Sequence, residues 1–119
     1  PSFSTAIKIS DSKGIDVVGI DMDEVSFTEA YTKNISTWQL FKRGRLESSM
    51  TKSGIEGETP EEIALNMESL IRQLSGFANL ERERVKTMAE NLRTQSETRK
   101  KILSIIEVSN VSELIDQLL

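Results

Sequence analysis

Residues 79–101, NLERERVKTMAENLRTQSETRKK, have the composition of a helix and very few apolar side chains with which to hold that helix to a core. An isolated helix is marginal in water, so this one needs a partner. Between Phe77 and Ile106 the apolar positions thin to Val85, Met88, Leu92, Ile102, Leu103 and Ile106, with Gln95 or Ser96 and Arg99 where further apolar residues would be expected. The stripe is about two positions in seven, narrower than the three or four of a helix facing a globular core, and it has the width of a coiled-coil seam.

An unbroken helix to Glu107 would be roughly 45 Å long at ~1.5 Å per residue, against a radius of gyration of ~14 Å for a compact domain of this size. Such a rod overhangs its own domain. Burial of Val85, Met88 and Leu92 is worth on the order of 1.5–3 kcal/mol each when complete. Two partners can supply it: a helix from residues 26–50 running antiparallel, or a second copy of the chain. The narrow seam favours the second copy. This predicts a homo-oligomer zipped through Val85, Met88, Leu92, Ile102 and Ile106, with Gln95 and Arg99 setting register.

The remaining segments read as a mainly α chain with an N-terminal β-hairpin, an α+β helical hairpin or coiled-coil-like bundle in one domain. Within 1–23, residues 3–10 and 15–22 read as two strands. Phe3, Thr5, Ile7 and Ile9 alternate, Ile15, Val17, Val18 and Ile20 are β-branched, and Asp11 and Gly14 supply turn chemistry. A hairpin alone is marginal and must lie on helices or extend its edge onto another chain.

Residues 26–52 read as helix, opened by the capping box SFTE at Ser26 and Glu29. Phe27, Tyr31, Ile35, Trp38 and Phe41 form its apolar stripe. A second cap, STWQ from Ser36, leaves one helix or two open. Residues 53–59 are a glycine-bearing loop. TPEE then places Thr59 as N-cap, Pro60 at the first helical position and Glu62 in a capping box. Helix is expected over 60–107, with Ile63, Met67, Leu70, Leu74 and Phe77 at seam spacing and Gly76 as a candidate break. NVSE from Asn110 caps a short helix over 110–119, with Val111, Leu114, Ile115 and Leu118 inward.

Composition narrows the chemistry. The 119 residues contain neither cysteine nor histidine. That removes disulfides, thiolate nucleophiles, sulfur metal sites, the usual neutral-pH general base and the commonest zinc ligand. No apolar run is long enough to cross a bilayer, and the first residues lack the basic and apolar parts of a signal peptide, which predicts a cytoplasmic protein without membrane contact. Pro1 reads as the residue left after removal of an initiator Met. The net charge of −4 is segregated. Residues 1–30, 55–74 and 105–119 are acidic, 41–52 and 81–101 basic, a pattern suited to pairing within or between copies.

Candidate sites are few. DMDE, from Asp21 to Glu24, could gather a divalent cation, but it lacks the glycine and terminal Glu of a calcium loop, and acidic residues before a helix are favoured by its dipole. Lys42, Arg43, Arg45 and Lys52 could meet phosphates while Trp38 and Phe41 offer stacking faces, although aromatics on a helical stripe more often belong to a core. Arg99, Lys100 and Lys101 form a second basic stretch, which otherwise reads as a solvated helix face. No phosphate-cradling loop has the required spacing. The expectation is therefore a non-enzyme without cofactor or metal, an assembly or adaptor protein that acts through helical contacts with its own kind and another protein. By analogy of architecture it would belong among small structural or chaperone-like components, viral and phage chains included. The alternative is a nucleic-acid-binding regulator using residues 42–52 and 93–101.

Overall fold

The computed structural model describes residues 2–119. The order is α1 (Ser2–Lys13), α2 (Glu24–Asn34), α3 (Thr37–Ser53), α4 (Pro60–Ile71), α5 (Ser75–Ser96), a 3-10 turn (Val108–Asn110) and α6 (Val111–Leu118). Among the described residues there is no β-strand, which overturns the expected N-terminal hairpin and with it the α+β class. The helical-bundle part of the expectation fits.

Residues 2–13 are helix, and the reason is local. The glycine read as a hairpin turn is a helix stop: Gly14 has φ +65°, its amide donates to the Asp11 carbonyl, and the Ile15 amide donates to the Ser10 carbonyl. That pair of bonds is a Schellman cap, which needs glycine at the left-handed position. The apolar residues are ambiguous by themselves, since Phe3, Ala6, Ile7 and Ser10 recur at helical spacing as well as Phe3, Thr5, Ile7 and Ile9 at strand spacing. Residues 15–22 continue without a strand partner.

The segment read as one helix or two is two. Asp23, three residues before the expected start, caps α2 by accepting from the Ser26 amide at 2.7 Å. Ser36 caps α3 by accepting from Gln39 at 3.3 Å, after Ile35 ends α2 in an extended conformation. Thr59 accepts from Glu62 at 3.2 Å, and the Glu62 carboxylate accepts from the Glu58 amide, so Pro60 opens α4 as expected. Asn110 precedes α6, but its side chain makes no cap bond; its Oδ1 accepts instead from Arg72, the residue that ends α4, at 2.8 Å.

The helical stretch expected over 60–107 is divided near its candidate break, Gly76. The chain turns at residues 72–74 and restarts with Gly76 pressed on the end of α2: a Cβ there would lie 2.3 Å from the Asn34 carbonyl oxygen. Only glycine permits that approach. α5 then stops at Ser96, so it is ~33 Å long instead of ~45 Å.

Two apolar clusters line α5. Phe77 and Leu80 at its N-terminal half pack with Ala30, Ile35, Met50 and Ile71. Val85, Met88, Ala89 and Leu92 pack with Leu114 of α6, backed by Ile20 and Ile106. The second cluster removes the premise of the intermolecular seam. Val85 is 0% exposed, and Met88 and Leu92 are buried, all by segments of the same chain. Arg72 helps fasten that cover. It bonds Glu113, the Ser109 carbonyl and Asn110, tying the end of α4 to the approach of α6. The molecule is nonetheless extended, with a radius of gyration of 16.5 Å, above the ~14 Å of a close-packed chain of this length.

Candidate functional site

The least packed part of the molecule is its N-terminal arm. None of the residues of α1 is buried, although Phe3, Ile7 and Ile9 are large and apolar and about half exposed. With residues 15–22 and 101–107, α1 borders a cleft of about 890 Å³, floored by Met88, Leu92 and Gln95 of α5. Its walls carry Ile15, Val17, Val18, Ile102 and Ile105, all exposed, and Leu103, which is 89% exposed.

Polar contacts fix the segments beneath. Arg84 grips the Asp21 carboxylate at 2.6 and 3.2 Å, bonds Glu81 one turn back, and lies over the Phe27 ring. The Asp21 bond is the main reason that the Arg84 guanidinium is held even more firmly protonated than usual, with burial opposing it. Asn91 donates to the Ile20 carbonyl at 2.8 Å. Arg99 bonds Gln95 at 3.0 Å and Asp16 at 3.2 Å. Residues 15–21 and 99–106 are thereby laid along α5, each running opposite to it.

The sequence-predicted seam residues are divided by this arrangement. Val85, Met88 and Leu92 lie inside the fold, Ile106 is half-buried over them, and Ile102 is exposed on the cleft. They do not form one continuous outer stripe. The surface that does present apolar side chains includes Phe3, Ile7 and Leu103, which sequence reasoning did not single out as contact residues. Helical spacing of Phe3, Ala6, Ile7 and Ser10 was the available signal.

The basic candidates fall in two places. Trp38 and Phe41 are 60% and 53% exposed, stacked at 5.4 Å between centroids, with the Lys42 ammonium 5.6 Å from the Trp38 ring centre. They are not core. Of the stripe they were assigned to, Ile35 alone is buried. Arg43 is engaged, bonded to Glu47 and laid over Phe77, whereas Arg45 and Lys52 are exposed on α3. Arg99, Lys100 and Lys101 sit past the other end of α5. The α3 stretch is tied to that helix's start through the Gln39 bond to the Gly76 amide, so the two basic stretches are separated by about 28 Å of helix.

The acidic DMDE stretch is accounted for by folding. Asp21 meets Arg84, and the amide of Ser26 is the first reason that the Asp23 carboxyl is held below its usual range. Among the described residues no group of three His, Cys, Asp or Glu side chains is placed to hold a metal ion. No helix of the described residues is long and apolar enough to cross a membrane. Compared with known proteins, the chain matches no family model, no curated protein and no solved structure.

Proposed function

We propose that the chain is a non-enzymatic assembly or adaptor protein of the cytoplasm that works through protein contacts made at the α1 cleft. One observation carries this reading: a twelve-residue helix bearing Phe3, Ile7 and Ile9 buries none of its residues, and faces a cleft whose walls are also apolar. Contiguous exposed apolar surface of this kind marks an interaction site on a stable protein. The contact is displaced from the α5 face, where Val85, Met88 and Leu92 are already covered. A photo-crosslinking residue at position 7 or 103, introduced in the source cell, is expected to join the chain to protein, whereas the same residue at exposed Lys86 is not. Equal yields at all three positions would remove the reading.

A second reading rests on a separate observation, the exposed Trp38–Phe41 stack beside Lys42, with exposed Arg45 one helical turn past Phe41 on α3. Aromatic faces next to cations suit single-stranded nucleic acid. Binding of a single-stranded oligonucleotide at about 50 mM salt, weakened by added salt and lost in Trp38→Ala, supports it; no binding there eliminates it.

A further inference from the structure

Residues 15–21 and 99–106 have the composition of strands, in IDVVGID and RKKILSII, and no strand neighbour. Both descend α5 from the Gln95 end, with Asp16 and Arg99 in contact at the top, Asp21 on Arg84, and Ile106 on the lower cluster. Among the described residues, no backbone–backbone hydrogen bond involves residues 16–22 or 100–106. The Ile20 carbonyl is satisfied by Asn91 and the Met22 amide by Asp21. Unpaired donors and acceptors along β-prone apolar chain form a template for an added strand.

The geometry points to a second copy of this chain as the occupant, residues 15–20 of each copy pairing with residues 101–106 of the other. This rests on the cleft being a protein-contact site, as proposed above. Charge selects the copy. Residues 15–20 lie between Asp11 and Asp21 in the acidic N-terminal block, and residues 101–106 follow Arg99, Lys100 and Lys101. Asp16 and Arg99 already show this attraction within one chain, while Asp11, Lys100 and Lys101 make no ion pair among the described residues. A two-fold axis brings the acidic wall of each copy to the basic wall of the other in one step, so the contact is made twice and closes. Ile15, Val17 and Val18 then meet Ile102, Leu103 and Ile105, all exposed in one chain. Asn91 and Arg84 hold residues 20–21 on α5, and the two segments of a single copy remain unpaired with each other.

The test is light scattering on the full chain across concentration, with the amide I strand signal read in parallel. A dimer is expected whose strand signal rises as it forms. Val17→Pro, at a position whose amide bonds nothing, removes a donor while keeping the helices, and is expected to weaken dimerisation at least tenfold; so is Leu103→Lys. Charge reversal gives the sharper outcome. Lys100→Glu with Lys101→Glu, and Asp11→Lys with Asp16→Lys, are each expected to be monomeric alone and to form a heterodimer when mixed. A monomer at about 1 mM, the weak end of specific association, overturns the proposal, as does a dimer indifferent to Val17→Pro and Leu103→Lys. A monomer that still crosslinks to another protein at position 103 overturns self-pairing and leaves the adaptor reading standing. A monomer that crosslinks to nothing removes both.

Discussion

α5 and α1 make an instructive pair. α5 is the more polar by sequence and the better buried: Gly76, Phe77, Leu80, Val85, Met88, Ala89 and Leu92 are all inside. α1 carries Phe3, Ile7 and Ile9 in half its length and buries nothing. Apolar content therefore does not decide which helix is central. Position does, because α2, α6 and the 15–22 segment all meet α5, with polar bonds such as Lys33 and Asn34 to Glu83 and Asn91 to Ile20. α1 follows its Schellman stop onto a segment already anchored to α5, and its apolar face is left to border a cleft.

The contrast breaks most visibly at the α5–α6 contact. Leu92→Ala or Met88→Ala is expected to cost about 2–5 kcal/mol in denaturant unfolding, as for other buried deletions. Leu92→Glu is expected to unfold the chain without first dissociating it, read by circular dichroism and scattering together. Little loss in either would mean that α5 is not the intrachain core. Next in size is Gly76→Ala, where a Cβ would meet the Asn34 carbonyl; about 1–3 kcal/mol is expected for such overpacking. Gly44→Ala, on α3 with open space around it, is expected to stabilise by up to about 1 kcal/mol through helix propensity.

A smaller effect sharpens the α4 side of the comparison. Burial, then the Glu81 charge, raises the Glu68 carboxyl above its ordinary pKa, with Arg72 opposing and Glu107 adding to the rise. A raised folded pKa means a contribution to stability that is full below about pH 4 and lost as pH rises through the folded value. At neutral pH the ionised group is a mild liability. Glu68→Gln is expected to raise the melting temperature slightly at pH 7, the gain vanishing on acidification below about pH 4. Smallest of all, Phe3→Ser or Ile7→Ser is expected to move stability by no more than about 0.5 kcal/mol while abolishing crosslinking at the cleft. A large loss would show that α1 belongs to the core after all.

Much of the helical pattern was legible. Thr59 and Ser36 could be read because each cap rests on a bond three residues away, and Gly76 could be read as a break from its low helix propensity, although the contact that requires glycine there is with distant Asn34. α1 was misread because Phe3 and Ile7 satisfy both periods and because glycine serves a hairpin and a helix stop alike. The cover on Val85, Met88 and Leu92 was not legible, since Ile20, Ile106 and Leu114 come from opposite ends of the chain. Nor was the exposure of Trp38 and Phe41, whose spacing is that of a buried stripe. The cleft was visible only as apolar residues in segments assigned to other elements.

By itself the sequence determined where α2, α3 and α4 begin, through Asp, Ser and Thr side chains that satisfy orphan amides, and excluded thiol and imidazole chemistry by composition. Tertiary structure decided what those helices hide. A cap is closed within one turn, whereas burial of Val85 needs chain ends nearly a hundred residues apart to meet on α5 with their polar groups paired. That choice among competing apolar segments has no local signature, which is why the most polar helix is the centre and a more apolar one is left at the surface.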